Sequence, residues 1–187
     1  MTRIVSPEEF SAAFLKVARR RSAEIGRCWD SSPKFTLLCL DADGSLLSDI
    51  AKDLHLLYYP GGWSIDAILY ERDDERLGEG YPEQLSVVIE HENAIGGARG
   101  GAHHEVNKLS IFNSPLKVLI TYPYESTRHD RLAGYAEILQ RADTFSDFST
   151  KRRFVVIFGL WSLEDESVRW EIYVYRSGKF VPLGAKS

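Results

Sequence analysis

The stretch LSVVIEHENAIGGARGGAHHEVNK, Leu85 to Lys108, decides how the chain reads, together with WSIDAILY, Trp63 to Tyr70. Ser86–Glu92 is an apolar, β-branched run that ends in two carboxylates. Residues two apart on a strand share a face, so Glu90 and Glu92 point the same way. WSIDAILY has the composition of a second strand, with Trp63, Ile65, Ala67 and Leu69 on one face and Asp66, Ile68 and Tyr70 on the other. An acid on an otherwise apolar strand is costly to bury without a partner, which singles out Asp66. If the two runs pair as neighbours, three carboxylates converge at one rim of a sheet. Carboxylates that close repel, so such a rim needs a divalent cation, protons or a wide solvated gap. Oxygen-only ligands suit Mg²⁺, Mn²⁺ or Ca²⁺ rather than zinc.

Downstream, Asn93–Gly101 sets Gly96, Gly97, Gly100 and Gly101 around Arg99. A glycine-rich loop before a helix can bring backbone N–H groups and a guanidinium to a phosphate. It lacks the GK(S/T) ending of a Walker A loop. His103 and His104 open the next helix. Adjacent helical residues point about 100° apart, so they are poor ligands for one ion. Glu105 and Lys108 share a helix face, where an exposed ion pair is the ordinary expectation, and Val106 and Leu109 form the buried stripe. Leu116–Tyr122, LKVLITY, reads as a central strand buried on both faces.

An Asp on one strand, a Glu two residues before a second polar residue on the next, then a helix and an apolar strand, resembles the restriction-endonuclease-like PD-(D/E)XK nucleases. The resemblance covers about Glu24 to Tyr122 and makes Asp66 the family's Asp and Glu90 its Glu. Glu92 stands where the family usually has the Lys that positions or activates the attacking water. Variants take that Lys from the following helix, where Lys108 is the matching position. The resemblance implies Asp66, Glu90 and the His91 carbonyl as ligands of Mg²⁺ or Mn²⁺. It gives Lys108 or Glu92 the orienting of water, and Arg99 a substrate phosphate. An acidic residue on the family's first helix often faces the metal, which adds Glu24, and Glu105 lies beside Lys108.

The bulk composition frames this reading. A chain of 187 residues suits one domain, residues 1–187, long enough to bury a core. A hydrophobic fraction of 44% and an aromatic fraction of 12% are those of a globular protein. The net charge of −4 argues against a protein coated in positive charge, though not against a local basic groove. Cys28 and Cys39 lack CxxC spacing and read as reduced thiols of a cytoplasmic protein. MTRIVSPEEF is no signal peptide, and no apolar run reaches membrane-spanning length.

Elsewhere, Ser6-Pro7-Glu8-Glu9 is a helix start with a capping box, followed by the stripe Phe10, Ala13, Phe14, Val17 and Ala18. Glu24 falls at the far end of that helix. Phe35–Leu54 contains LLCLDADGSLLSD, which looks like the first motif of haloacid dehalogenase-like phosphatases, with Asp41 as nucleophile and Asp43 as acid/base. The same stretch carries helical spacing, with Phe35, Leu38, Ala42, Leu46, Ile50 and Leu54 as its stripe and Gly44 as a tolerated defect. Tyr59-Pro60-Gly61-Gly62 reads as a turn and Glu71–Pro82 as a solvated hairpin loop. Ser126 or Thr127 starts a helix to about Arg141. Its Arg128, Arg131 and Arg141 could join Lys151-Arg152-Arg153 in one basic surface. Arg153–Trp161 and Val168–Arg176 read as a β-hairpin, and the tail after Ser177 as loosely ordered.

The expected fold is therefore α/β, a mixed central sheet flanked by helices, with a restriction-endonuclease-like core and an additional C-terminal β-hairpin. The leading expected function is metal-dependent hydrolysis of nucleic-acid phosphodiesters, with DNA as partner. The alternatives are a catalytically degenerate nuclease-fold protein that binds nucleic acid or a protein partner, and a phosphatase acting through Asp41.

Overall fold

The computed structural model describes residues 3–62, 64–71, 84–93, 101–143 and 153–184. These form a seven-stranded sheet with helices on both faces. The first helix, α1 (Pro7–Arg20), starts where the capping box places it: Ser6 accepts from the Glu9 N–H, and the Glu9 carboxylate accepts from the Ser6 N–H. Its stripe of Phe10, Ala13, Phe14, Val17 and Ala18 is buried. Three short helices follow, α2 (Ser22–Cys28), α3 (Ser32–Leu40) and α4 (Leu46–Asp53).

The strands then run β1 (Leu57–Gly62), β2 (Ile65–Glu71), β3 (Gln84–Glu92), β4 (Leu116–Thr121), β5 (Arg153–Ser162), β6 (Ser167–Arg176) and β7 (Lys179–Pro182). Helix α5 (Gly101–Ile111) lies between β3 and β4, and α6 (Arg128–Ala142) between β4 and β5. The spatial order of the strands equals their chain order. The β3–β4 and β4–β5 pairs are parallel and the others antiparallel.

Parallel neighbours need crossovers, and crossovers of one hand moving the same way along a sheet put their helices on the same face. Helices α5 and α6 accordingly share one face, covering Ile68, Val88, Leu119, Val156 and Phe158. The helices α1 to α4 cover the other, over Ala67, Val87, Ile89, Val118 and Val155. β4 is buried along its whole length, Lys117 included, as a near-continuously apolar central strand should be.

Three readings change. Tyr59-Pro60-Gly61-Gly62 is not a turn but most of β1, an edge strand, the position in a sheet that tolerates proline. The described part of the tail after Ser177 is not loose: Ser177 and Gly178, both at positive φ, turn the chain into β7 against β6. The C-terminal strands β5 and β6 do form the expected antiparallel hairpin, but not as an appendage. β5 pairs parallel with β4, so β5, β6 and β7 continue the central sheet. Most of Glu71–Pro82 and the loop residues before Gly101, Arg99 among them, lie outside the described residues. No described helix is long and apolar enough to cross a membrane.

Candidate functional site

β2 and β3 pair antiparallel with Ala67 opposite Ile89 and Ile68 opposite Val88. Continuing that register by one residue sets Asp66 opposite Glu90, on the face that carries Ile68 and Val88 and lies beneath α5. Glu90 is 1% exposed. From α5, the Lys108 ammonium comes to 2.8 Å of Glu90 Oε1 and 2.5 Å of Glu105 Oε2. Lys108 thus bridges a strand carboxylate and a helix carboxylate. The Glu105–Lys108 pair is not the exposed pair that its spacing predicts, because α5 turns this face down onto β3.

The cluster sets two carboxylates, Glu90 and Glu105, on one ammonium, with Asp66 opposite Glu90. Burial pushes the Glu90 carboxyl well above the usual carboxylate range, the Lys108 ammonium pulls it back, and the charges of Asp66 and Glu105 push it up again. Burial alone would lower Lys108, but hydrogen bonds and charge from Glu105 and Glu90 outweigh it and hold the ammonium above its ordinary value. Apart from the Lys108 ammonium, the Glu90 oxygens have no hydrogen-bond partner among the described residues. A buried carboxylate left in that condition is costly, and such groups concentrate at functional sites.

His91 divides its two ends between the two faces. Its backbone N–H donates to Asp66 Oδ2 at 2.8 Å, so the Asp66 carboxylate caps β3 just past the paired residues. Its ring lies on the opposite face, with Nε2 2.9 Å from the Tyr122 hydroxyl and the Phe35 ring beside it. Burial lowers the His91 imidazole to about 4, so the ring is neutral at physiological pH. The ring is therefore remote from any ion held by the carboxylates, and only the His91 backbone reaches them. Glu92 shares the Glu90 face but sits one step further on. Its carboxylate packs against Gly101, where an added Cβ would fall 2.6 Å from Oε2. Glu92 therefore lies at the start of α5, where the helix dipole favours negative charge, while Lys108 lies two turns along.

The other candidates fall elsewhere. Glu24 is not on α1 but on α2, where it pairs with Arg21 at 2.5 Å in the layer on the far side of the sheet. Asp41 ends a helix rather than a strand, and Asp41 and Asp43 are exposed in the turn that separates α3 from α4. Gly44, at φ +72°, makes that turn possible and is no defect within a single helix. The apolar strand that a haloacid dehalogenase-like nucleophile requires is thus absent. His103 packs edge-on against Tyr135, and His104 and His103 converge on no common ion site among the described residues. Arg128 pairs with Glu125 and Glu171, and Arg141 with Glu137, while Lys151 and Arg152 of the expected basic surface lie outside the described residues.

Among the described residues no group of three or more His, Cys, Asp and Glu side chains is placed to hold a metal ion. Asp66 and Glu90, opposed on neighbouring strands, are nevertheless a donor set of the kind that suits Mg²⁺, which is commonly bound through one or two carboxylates and keeps several waters. Sequence reasoning underrated Glu105 and passed over Tyr122. The Glu105–Lys108 spacing was the available signal for the first. The second needed the parallel pairing of β3 with β4, which brings the end of β4 beside His91. No family model, curated protein or solved structure matches the chain.

Proposed function

We propose that this chain is a restriction-endonuclease-like protein that hydrolyses nucleic-acid phosphodiesters, DNA foremost, with Mg²⁺ or Mn²⁺. The observation that carries the reading is the placement of Asp66 opposite Glu90 on neighbouring strands, with Lys108 Nζ 2.8 Å from Glu90. Asp66 and Glu90 would hold the ion. N–H and C=O of one strand residue face the same neighbour, so the His91 carbonyl lies on the Asp66 side and is the third oxygen available. When bound, the ion lowers the pKa of its water and stabilises charge on the phosphoryl oxygens.

The chain's own groups do the rest. Lys108 orients the water as a hydrogen-bond donor and offsets charge at the phosphate. Glu105 fixes the Lys108 side chain. Glu92 is the lesser candidate for Lys108's role, since it packs at the start of α5. Arg99, outside the described residues, is assigned to the substrate phosphate.

The test is cleavage of single- and double-stranded DNA with Mg²⁺ or Mn²⁺. Activity is expected in the wild type and its loss in Asp66→Ala, Glu90→Ala and Lys108→Ala. Equal cleavage by these variants would defeat the reading. Mg²⁺ should also raise the thermal midpoint, through a stabilisation of about 2.7 kcal/mol at a hundredfold excess over the dissociation constant. Glu90→Gln should remove that shift and Asp41→Asn should keep it.

A second reading is a binding protein on the same scaffold that does not cut. The ion pair between Lys108 and Glu90 favours it, because the ammonium already offsets part of the charge an ion would offset. DNA retention without cleavage and without a Mn²⁺ heat of binding would select it.

A further inference from the structure

A cavity of about 290 Å³ lies between the start of α1 and the β5–β6 ladder, lined by Pro7, Arg153, Val174, Tyr175, Arg176 and Ser177. Arg153 begins β5, whereas Glu90 lies near the end of β3, which runs parallel to β4 and so to β5. The cavity is therefore at the opposite end of the sheet from the carboxylates. It is also on the opposite face: Val155 and Val174, two residues inward from Arg153 and Arg176, belong to the core beneath α1 to α4.

The charge there is unusual for an acidic chain. Val155 pairs with Val174, and the same register sets Arg153 opposite Arg176 on one face. Arg176 in turn pairs with Lys179 on β7. Three cations thus stand in a row across three strands. Like charges directly opposite each other on a sheet destabilise it. The described counter-charge is one carboxylate, Glu8, 3.3 Å from Arg176. Arg153 makes no ion pair with any described residue. Pro7, in the first turn of α1, lines the same cavity. The capping box already uses the Ser6 and Glu9 N–H groups, so the helix end contributes its positive field more than hydrogen bonds.

We propose that this cavity binds a phosphate-type dianion, either free phosphate or the phosphate group of a small monoester. Arg153 and Arg176 are its direct ligands, and Lys179 adds charge from outside the cavity. Guanidinium forks match phosphate oxygens two at a time. The volume lies at the lower limit of small-molecule pockets, which suits a phosphate with a small substituent rather than a large cofactor. A dianion also offsets the row of like charges that the sheet otherwise carries.

The experiment is an NMR titration of the full chain with inorganic phosphate and, separately, with phenyl phosphate, at constant ionic strength set by chloride. Saturable amide shifts are expected around Arg153 and residues 176–179. Arg153→Gln should weaken binding roughly tenfold, the loss of a charge-assisted hydrogen-bonding group. Glu8→Gln should tighten binding by freeing Arg176, and this exposed helix position keeps the test intact if Arg153→Gln fails to fold. Tighter binding of phenyl phosphate identifies a monoester as the ligand, and tighter binding of phosphate identifies the free ion; either supports the site. Shifts that do not saturate, or equal affinities in wild type, Arg153→Gln and Glu8→Gln, would overturn it. Shifts produced only by an oligonucleotide would overturn it in favour of a strand-binding surface.

Discussion

Replacing Glu90 with glutamine is expected to make the folded protein more stable, and increasingly so as the pH rises. Glu90 is 1% exposed and faces one ammonium at 2.8 Å and the charges of two further carboxylates. Its folded pKa is raised, so the folded state holds the Glu90 proton more tightly than the unfolded chain does. Stability from this group is therefore complete below the unfolded value, about 4.3, and is lost as pH climbs from there through the raised folded value. The loss cannot exceed the cost of keeping the carboxyl protonated, about 1.4 kcal/mol for each pH unit above about 4.3. That sets a ceiling of about 1 kcal/mol at pH 5 and about 4 kcal/mol at pH 7. Glutamine has nearly the same shape, keeps an oxygen for Lys108 and carries no charge, so Glu90→Gln should recover most of the loss. Urea denaturation at pH 5, 7 and 8 without divalent ions is the assay, with a higher midpoint and an unchanged m value as the expected result. A variant less stable than wild type, or a gain that does not grow with pH, would refute the placement of Glu90 as a buried acid that Lys108 compensates only in part.

Other outcomes follow from neighbouring contacts. Asp66→Ala removes the acceptor of the His91 N–H and should cost about 1–2 kcal/mol, with faster hydrogen exchange at the His91 amide as the specific readout. His91 is buried neutral with its folded pKa depressed to about 4, so its contribution is complete above about 6.5 and is lost as pH falls toward about 4. In His91→Phe this part of the acid loss should disappear, as pH-dependent urea midpoints would show. Gly159→Ala would place a Cβ 2.6 Å from the Tyr122 ring and 2.9 Å from the Trp170 ring, so a loss of about 1–3 kcal/mol is expected in chemical denaturation.

The parts legible in the sequence were those whose cause is local. The capping box at Ser6 and Glu9 fixes the start of α1, and the near-continuous apolar run of β4 marks a strand buried on both faces. The opposition of Asp66 and Glu90 follows from strand parity once their two strands pair. β1 was not legible, because Pro60, Gly61 and Gly62 have turn chemistry and become a strand only through pairing with β2. β7 is four residues long and likewise exists through its partner. The Phe35–Leu54 stripe ran through Gly44 as if one helix continued, and only the packing of α3 and α4 as separate pieces broke it. Lys108 had the right register for the site, but its reach to Glu90 depends on how α5 docks on the sheet. The row of Arg153, Arg176 and Lys179 joins residues that only three paired strands bring together.

The coincidence of strand order with chain order bears on how the protein folds. Each strand leaving the ribosome finds its sheet partner in the strand just made, so pairing can proceed from one edge without waiting for a distant segment. Most of the pairs are antiparallel neighbours joined by short or moderate connections, whose loop-closure entropy is small. The two parallel joins each need a helix laid across the sheet before the next strand can add. Folding should therefore slow at α5 and α6, and truncation after β3 should leave an exposed edge prone to pairing with other chains. The carboxylate cluster is completed at the first of these slow steps, when α5 carries Lys108 onto Glu90.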